Sequence, residues 1–258
     1  ETNHQRLFPG QENESPYVKD GINDCVVQGN QGAVNPGKQG TKVAAYYQVN
    51  IGSGQTQVIR LRLFKASPNQ KGKFFGKQFD EVFADRLREA DEFYKSVTPP
   101  SVSEDAANVM RQAIAGMLWS KQFFFFDGDN WLDEHHSNPL HTGYRNARNS
   151  EWFHMLNQDV ISMPDKWEYP WYAAWDLAFH TIALSLVDFD FAKEQLLLML
   201  RSLYFHPNGQ IPAYEWNFSD VNPPVHAWAT LWLYRYEKQL GREDRRFLEH
   251  SFHGLMLN

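Results

Sequence analysis

The stretch AAWDLAFHTIALSLVDFDFAKEQLLLMLRSLYF, Ala173 to Phe205, has the clearest helical pattern in this chain. Its apolar residues recur at helical spacing on both sides of a turn at Asp188 to Asp190, and either aspartate can cap the second helix. The pattern predicts one helix from about Ala173 to Val187 and another from Phe191 to Phe205. Helices joined by so short a turn pack as an antiparallel pair.

A second helical pair is predicted downstream. A long loop leads to Pro223-Pro224, a third helix spans Val225 to Leu240, and a fourth begins near Glu243 after Gly241. Alternating short and long connections between antiparallel helices place all the long ones at one end. Asp176, in the first turn of the first helix, and Glu215, in the long loop, are therefore expected to share a rim.

Residues 1–70 differ in composition from the rest, being rich in Gly, Asn and Gln and free of tryptophan. Alternating apolar residues in VAAYYQVNI (Val43–Ile51) and QVIRLRLF (Gln57–Phe64), around a Gly/Ser turn, predict a β-hairpin. An isolated hairpin is marginally stable. We therefore expect this β-rich segment to complete the sheet of a further N-terminal domain or to pack on the helices.

The middle of the chain is predicted to be helical and then to open into a loop. One helix covers Phe79 to Ala90, and another runs from Ser103 to about Phe125. Asp127 to Ser150, about 24 residues, is too polar for a packed element and longer than an ordinary connection. It predicts a rim loop, in which Trp131, Tyr144 and Arg145 are candidates to stack on or hydrogen-bond a sugar.

The sequence of this loop gives weaker support for a metal site than for sugar binding. His135, His136 and His141 do not have the spacing of a standard zinc site. Asp127, Asp129 and Asp133 are spaced like a calcium loop, but Trp131 stands where an oxygen ligand belongs and the required glycine is absent. We predict no metal and no cofactor.

Composition excludes several classes of function. The formal charge of −6, without a long Lys/Arg block, argues against nucleic-acid or membrane partners. Cys25 is alone, and no Gly-x-Ser-x-Gly elbow or Walker loop is present. The start shows neither a signal peptide nor an initiating methionine. We expect a chain cut from a larger protein, cytoplasmic or, if an N-terminal signal is missing, periplasmic.

The tryptophans point to carbohydrate chemistry. All nine lie between Trp119 and Trp232, and the densest cluster, WEYPWYAAWDLAFH, surrounds Asp176. Indole faces cover the apolar faces of pyranose rings, and a carboxyl group in a low-polarity site keeps a proton that it can donate to a glycosidic oxygen. The alternative is that Trp171 and Trp175 are core residues and Asp176 only favours a helix N-terminus.

Three longer stretches carry a family resemblance: residues 17–47, SMPDKWEYPWYAAWDLAFH (162–180) and NGQIPAYEWNFSDVNPPVHAWA (208–229). They resemble glycoside hydrolase family 63, which includes processing α-glucosidase I and bacterial mannosylglycerate-hydrolase-like enzymes. The resemblance implies an inverting hydrolase of an α-linked glucoside or related glycoside on an (α/α)6 toroid, of which residues 71–258 form the first part. Asp176 matches the family's general acid.

The resemblance also implies that the general base, a Glu, lies in the second half of the toroid, beyond this chain. Glu215 belongs by resemblance to the substrate site and is a weaker candidate for the base. The predicted substrate-binding residues are Trp131, Tyr144, Arg145, Trp171, Trp175, His180, Glu215, Trp216 and Asn217. The expected partners are a glycoside and either the remainder of the same polypeptide or a second copy.

Two alternatives stay open at the level of sequence. A sugar-binding or scaffold module would retain the aromatic rim without hydrolysis. A toroid-type glycoside phosphorylase would need a cluster of phosphate-binding cations, and the loop around Arg145 and Arg148 offers two.

Overall fold

The computed structural model describes residues 2–65, 74–147, 150–164, 167–169, 171, 173–211 and 221–258. The chain divides into two compact units, Glu1–Phe75 and Gly76–Asn258. Helices dominate the described residues, together with one two-stranded sheet. The prediction of a mainly α chain is confirmed. Within those ranges no helix is both long enough and apolar enough to cross a membrane.

The first unit contains two short helices, α1 (His4–Leu7) and α2 (Gly21–Gln28). Asn3 accepts from the Arg6 backbone N–H, which caps α1. The Asn3 side chain also donates to Asp20, just before α2, and so ties the two helices together.

The predicted β-hairpin of this unit is wrong for the described residues, because 2–65 contain no strand. The turn is present, with the Gln55 N–H donating to the Gly52 carbonyl, but the flanking segments do not pair. Val43 and Leu63 are 94% and 102% exposed. The alternating pattern lacks a second apolar layer among the described residues, and two strands alone bury too little to form.

The second unit begins with α3 (Lys77–Val97) and α4 (Glu104–Trp119). The Ser103 hydroxyl accepts from the Ala106 N–H and caps α4, as predicted. The helix ends at Trp119, six residues before the predicted end at Phe125.

The phenylalanines that follow α4 form a strand instead. Strand β1 (Lys121–Asp127) pairs antiparallel with β2 (Leu156–Ser162), with Phe123 opposite Val160. Phe124 and Phe126 pack on the core, whereas Phe123 and Phe125 are 66% and 62% exposed. A short continuous apolar run does not distinguish a strand from a buried helix by period, and aromatic residues favour the strand.

The polar stretch after β1 is more ordered than predicted. It opens with α5 (Gly128–Glu134), capped by Asp127, which accepts from the Asn130 N–H. Leu132 and Asn138 are 1% and 3% exposed, so part of the stretch is a packed element.

Four helices complete the unit. They are α6 (Ala174–Leu184), α7 (Phe189–Leu198), α8 (Val225–Gln239) and α9 (Arg245–Leu255). Asp188 caps α7, as predicted, by accepting from the Phe191 N–H. The prediction that α7 continues to Phe205 is wrong: three-residue turns follow Leu198, including one from the Tyr204 N–H to the Arg201 carbonyl.

These helices form two layers. Helix α7 runs antiparallel to α8, since Phe189 contacts Tyr236 while Leu196 accepts from His226 at the other end. Helix α9 lies along α7 in the same direction, from the Lys193–Asp244 ion pair to the contact of Leu200 with Gly254. Helix α6 reverses into α7 and packs beside α8, so the N-termini of α6 and α8 lie at one end.

The core of the second unit lies between the sheet and these helices. Its fully buried side chains come from β2, α6, α7 and α8, including Ile161, Met163, Leu177, Leu184, Leu196 and Leu233. The core thus fixes the start of α6 against the end of β2.

Candidate functional site

Asp176 lies in the first turn of α6, as predicted. It is half-buried, and its Oδ2 atom is sealed from solvent with no hydrogen-bond partner among the described residues. Burial raises the pKa of this carboxyl above its usual value, and its own backbone N–H opposes the rise only in part. A negative charge here would rest partly on an oxygen without a donor, so the site favours the protonated acid.

His180 follows Asp176 by one helical turn, which puts both side chains on the same side of α6. Its Nδ1 atom lies 3.1 Å from the hydroxyl oxygen of Ser162, at the end of β2. Burial lowers the pKa of His180, so the imidazole is neutral at physiological pH. The site therefore joins a carboxyl group whose pKa is raised and a neutral imidazole.

The end of β2 is held in place by α7. Gln195 accepts from the Ser162 backbone N–H at 3.1 Å and donates to the Val160 carbonyl at 2.9 Å. Gln195 is 3% exposed, and Ser162 is fully buried. The strand end beside His180 is thus fixed by a buried amide.

Aromatic side chains line another side of α6. Trp175 and Phe179 contact each other with ring centroids 6.0 Å apart, and Phe179 contacts Trp228 of α8 at 5.8 Å. These three rings are 38%, 46% and 50% exposed. We call them the aromatic stripe. It offers apolar ring faces to solvent, starting at the residue next to Asp176.

Trp171, just before α6, is half-buried and meets Tyr169 edge to face, with centroids 6.2 Å apart. Glu215, Trp216 and Asn217 lie outside the described residues. The last residues of their loop, from Val221 onward, lead into α8 at the end of the layers where Asp176 lies.

The predicted sugar-binding residues of the polar stretch contact neighbours within that stretch. Trp131 stacks on His135 with centroids 4.1 Å apart. Tyr144 is 47% exposed, and the Arg145 backbone N–H donates to the His136 carbonyl. Among the described residues no hydrogen bond or ring contact joins these three to Asp176.

The aspartates of this stretch are occupied by protein donors. The buried amide of Asn138 donates to Asp129 at 2.8 Å and to Asp133 at 2.6 Å, while Asp127 caps α5. Two of the aspartates that are spaced like a calcium loop thus bind Asn138 and link α5 to the residues that follow it. His135 Nδ1 binds the Trp131 carbonyl, and the described ranges contain no group of three or more metal-ligating side chains.

Three residues of the site were not predicted from the sequence. Ser162 is 18 positions from His180, and only the fold brings them together. Trp228 approaches Phe179 only because α6 and α8 pack side by side. Phe179 itself follows Trp175 at helical spacing, a signal that could have extended the predicted aromatic surface along α6.

Comparison with known proteins gives one informative match. The chain is 45% identical over 271 aligned residues to the uncharacterized protein YMR196W of Saccharomyces cerevisiae. The alignment covers the whole of this chain and 25% of the yeast protein, so the chain spans about a quarter of that relative's length. No family model matches the chain. No solved structure matches it.

Proposed function

We propose that this chain carries the general acid of an inverting glycoside hydrolase that acts on an α-linked glucoside or a related glycoside. The observation that carries the proposal is the carboxyl group of Asp176, whose pKa is raised by burial at the start of α6. A general acid must hold its proton near neutral pH, and burial is a usual way to achieve that.

The chemistry follows from the state of that carboxyl group. Asp176 donates its proton to the glycosidic oxygen while the bond from that oxygen to the anomeric carbon breaks. A second carboxylate removes a proton from water, which attacks the opposite face of the sugar; in inverting enzymes the two carboxyl groups are about 6.5–9.5 Å apart. Glu215 is a candidate for this base, and a Glu elsewhere in a longer polypeptide is the stronger one.

The architecture supports the same proposal. Two helical hairpins lie side by side, with α6 and α8 in one layer and α7 and α9 in the other, an arrangement consistent with part of an (α/α)6 toroid. The aromatic stripe lies on the α6/α8 layer, where apolar ring faces can cover a pyranose.

The test is a screen of the complete gene product against α-linked disaccharides and glycosylglycerates. Proton NMR at early times identifies the first anomer released. We expect a β-anomer from an α-glycoside. Release of the α-anomer excludes inversion, and phosphate-dependent release of a sugar phosphate identifies a phosphorylase. Binding of sugar without hydrolysis identifies a sugar-binding module.

A further inference from the structure

The hydrogen bond between Ser162 and His180 determines which ring nitrogen of His180 carries a proton. Ser162 is fully buried, and its hydroxyl lies 3.1 Å from Nδ1 of His180. Among the described residues the Ser162 hydroxyl has no other partner. Its one proton therefore has a single available acceptor, the lone pair of Nδ1.

Two neutral tautomers of His180 fit this contact differently. If Nδ1 carried the ring proton, it would donate to Ser162, and the buried hydroxyl proton would be left without an acceptor. If Nδ1 is unprotonated, the hydroxyl donates to it and both groups are satisfied. The contact therefore selects the tautomer whose proton is on Nε2.

The hydroxyl that makes this selection does not move freely. Ser162 is paired with Lys121 across the sheet, and its backbone N–H donates to the buried Gln195 amide. Since strand and helix both fix the residue, the hydroxyl keeps its place against Nδ1.

The other ring nitrogen is available for a ligand. No protein partner is recorded for Nε2 of His180 in the described ranges, and Nε2 is not among their sealed, unpartnered polar atoms. His180 is partly exposed and lies one helical turn from Asp176, so Nε2 is the ring nitrogen that remains for a ligand. A neutral Nε2–H donor there suits an oxygen acceptor such as a sugar hydroxyl.

We infer that Ser162 is a positioning residue that holds His180 as the neutral Nε2–H tautomer, so that His180 donates a hydrogen bond to a sugar hydroxyl beside Asp176. The tautomer is independent of the proposed function, whereas the identity of the acceptor rests on it. In this role His180 is a substrate-binding donor and not the general base, because its Nδ1 lone pair is already occupied by Ser162.

The tautomer is tested on the chain with ¹⁵N-labelled histidine by long-range ¹H–¹⁵N spectra at neutral pH. The chain has ten histidines, so His180→Gln assigns the signal by its disappearance. We expect a protonated Nε2 and an unprotonated Nδ1. A protonated Nδ1 in the unaltered chain overturns the inference.

Variants of Ser162 test the selection itself. Ser162→Ala should move both ring-nitrogen shifts of His180 toward averaged values, and Ser162→Thr, which keeps the hydroxyl, should restore the original shifts. Unchanged shifts in Ser162→Ala, with the chain folded, contradict a positioning role.

Kinetics of the complete gene product test the acceptor. His180→Phe keeps an aromatic ring but removes the donor, and should raise KM about two- to tenfold, the worth of one neutral hydrogen bond, with kcat little changed. An unchanged KM refutes donation to substrate. If no glycoside is hydrolysed, the donor role falls with the proposed function, while the NMR result still decides the tautomer.

Discussion

The phenol of Tyr204, in the turns after α7, donates a hydrogen bond to the carboxylate of Asp159 in β2. Tyr204 is 1% exposed, and Asp159 also pairs with Arg201. The chain leaves the helical path after Leu198, and Tyr204 then enters the core against the strand that carries Ser162.

Replacing Tyr204 by Phe should lower the free energy of unfolding by about 1.5–3 kcal/mol, because a hydrogen bond to a charged group is lost while the ring is kept. Urea denaturation followed by tryptophan fluorescence measures the change. Tyr144→Phe, at an exposed position of the same unit, should leave stability unchanged. The same bond and burial raise the pKa of Tyr204 above its usual 10.0, so its contribution is present below pH 10 and lost at higher pH. An equal loss of stability in the two variants contradicts the assignment.

Lys193 should be the most sensitive charged residue of the α7–α9 contact. Its ammonium lies 3.2 Å from Glu237, which is 3% exposed, and 2.7 Å from Asp244. Lys193→Met removes the nearest cation from the buried Glu237 carboxylate, which keeps only Arg242 at 3.9 Å, and should cost up to about 3–5 kcal/mol. Adding Glu237→Gln should recover part of that loss. Lys238→Met, which breaks an exposed pair with Glu243, should change the stability far less. Thermal unfolding ranks the stabilities of Lys193→Met, of the double variant with Glu237→Gln and of Lys238→Met. Equal effects of Lys193→Met and Lys238→Met would falsify the claim that the buried ion pairs stabilise the fold.

Asp176→Asn should make the chain more stable at neutral pH. The folded pKa of Asp176 is raised above 3.8, so the stability linked to this group is present below pH 3.8 and lost as pH rises through the raised value. Removing the ionisable group should therefore raise the free energy of unfolding at pH 7, and the gain should vanish near pH 3. Asp190→Asn is the matched control, an exposed aspartate in the first turn of α7. Destabilisation by Asp176→Asn at pH 7 would show that the carboxylate is a structural cap.

The same substitution should reduce activity in the complete gene product. Asn keeps the shape of Asp176 but has no transferable proton, so hydrolysis of glycosides with poor leaving groups should fall by about 10² to 10⁴. Aryl glycosides with activated leaving groups should lose less. Steady-state rates on both substrate classes provide the measurement, with Asp190→Asn as the control. Full activity of Asp176→Asn on natural disaccharides rules out this residue as the acid.

The chain of 258 residues by itself should self-associate and lack glycosidase activity. The aromatic stripe and the exposed Phe123 and Phe125 present apolar surface. Under the proposed function, the stronger candidate for the base is a Glu of a longer polypeptide. Sedimentation at several concentrations should show association that Trp228→Lys weakens. Turnover of an α-glucoside by this chain, abolished by Glu215→Gln, would instead identify Glu215 as the base.

The helices α6 to α9 could be predicted because most of their boundaries have a local signal, such as Asp188 before α7 or Gly241 after α8, whereas the end of α7 at Leu198 has none. The position of Asp176 in the first turn of α6 could be predicted for the same reason, since its helical and aromatic neighbours are local in sequence. The strand of phenylalanines was not found, because its pairing with β2 depends on residues about 35 positions later. Nor was the contact of Ser162 with His180, which exists only when the sheet packs on α6.

The side chain of Gln195 affects whether the open edge of β2 can pair with a strand of another molecule. Its amide binds the N–H of Ser162 and the carbonyl of Val160, two groups on the side of β2 that faces away from β1. It does there what the peptide group of a third strand would do. An open strand edge recruits strands from other molecules, and a side chain that fills its hydrogen bonds removes the template. Gln195 therefore closes this edge to intermolecular β-pairing, at the cost of one polar side chain inside the core.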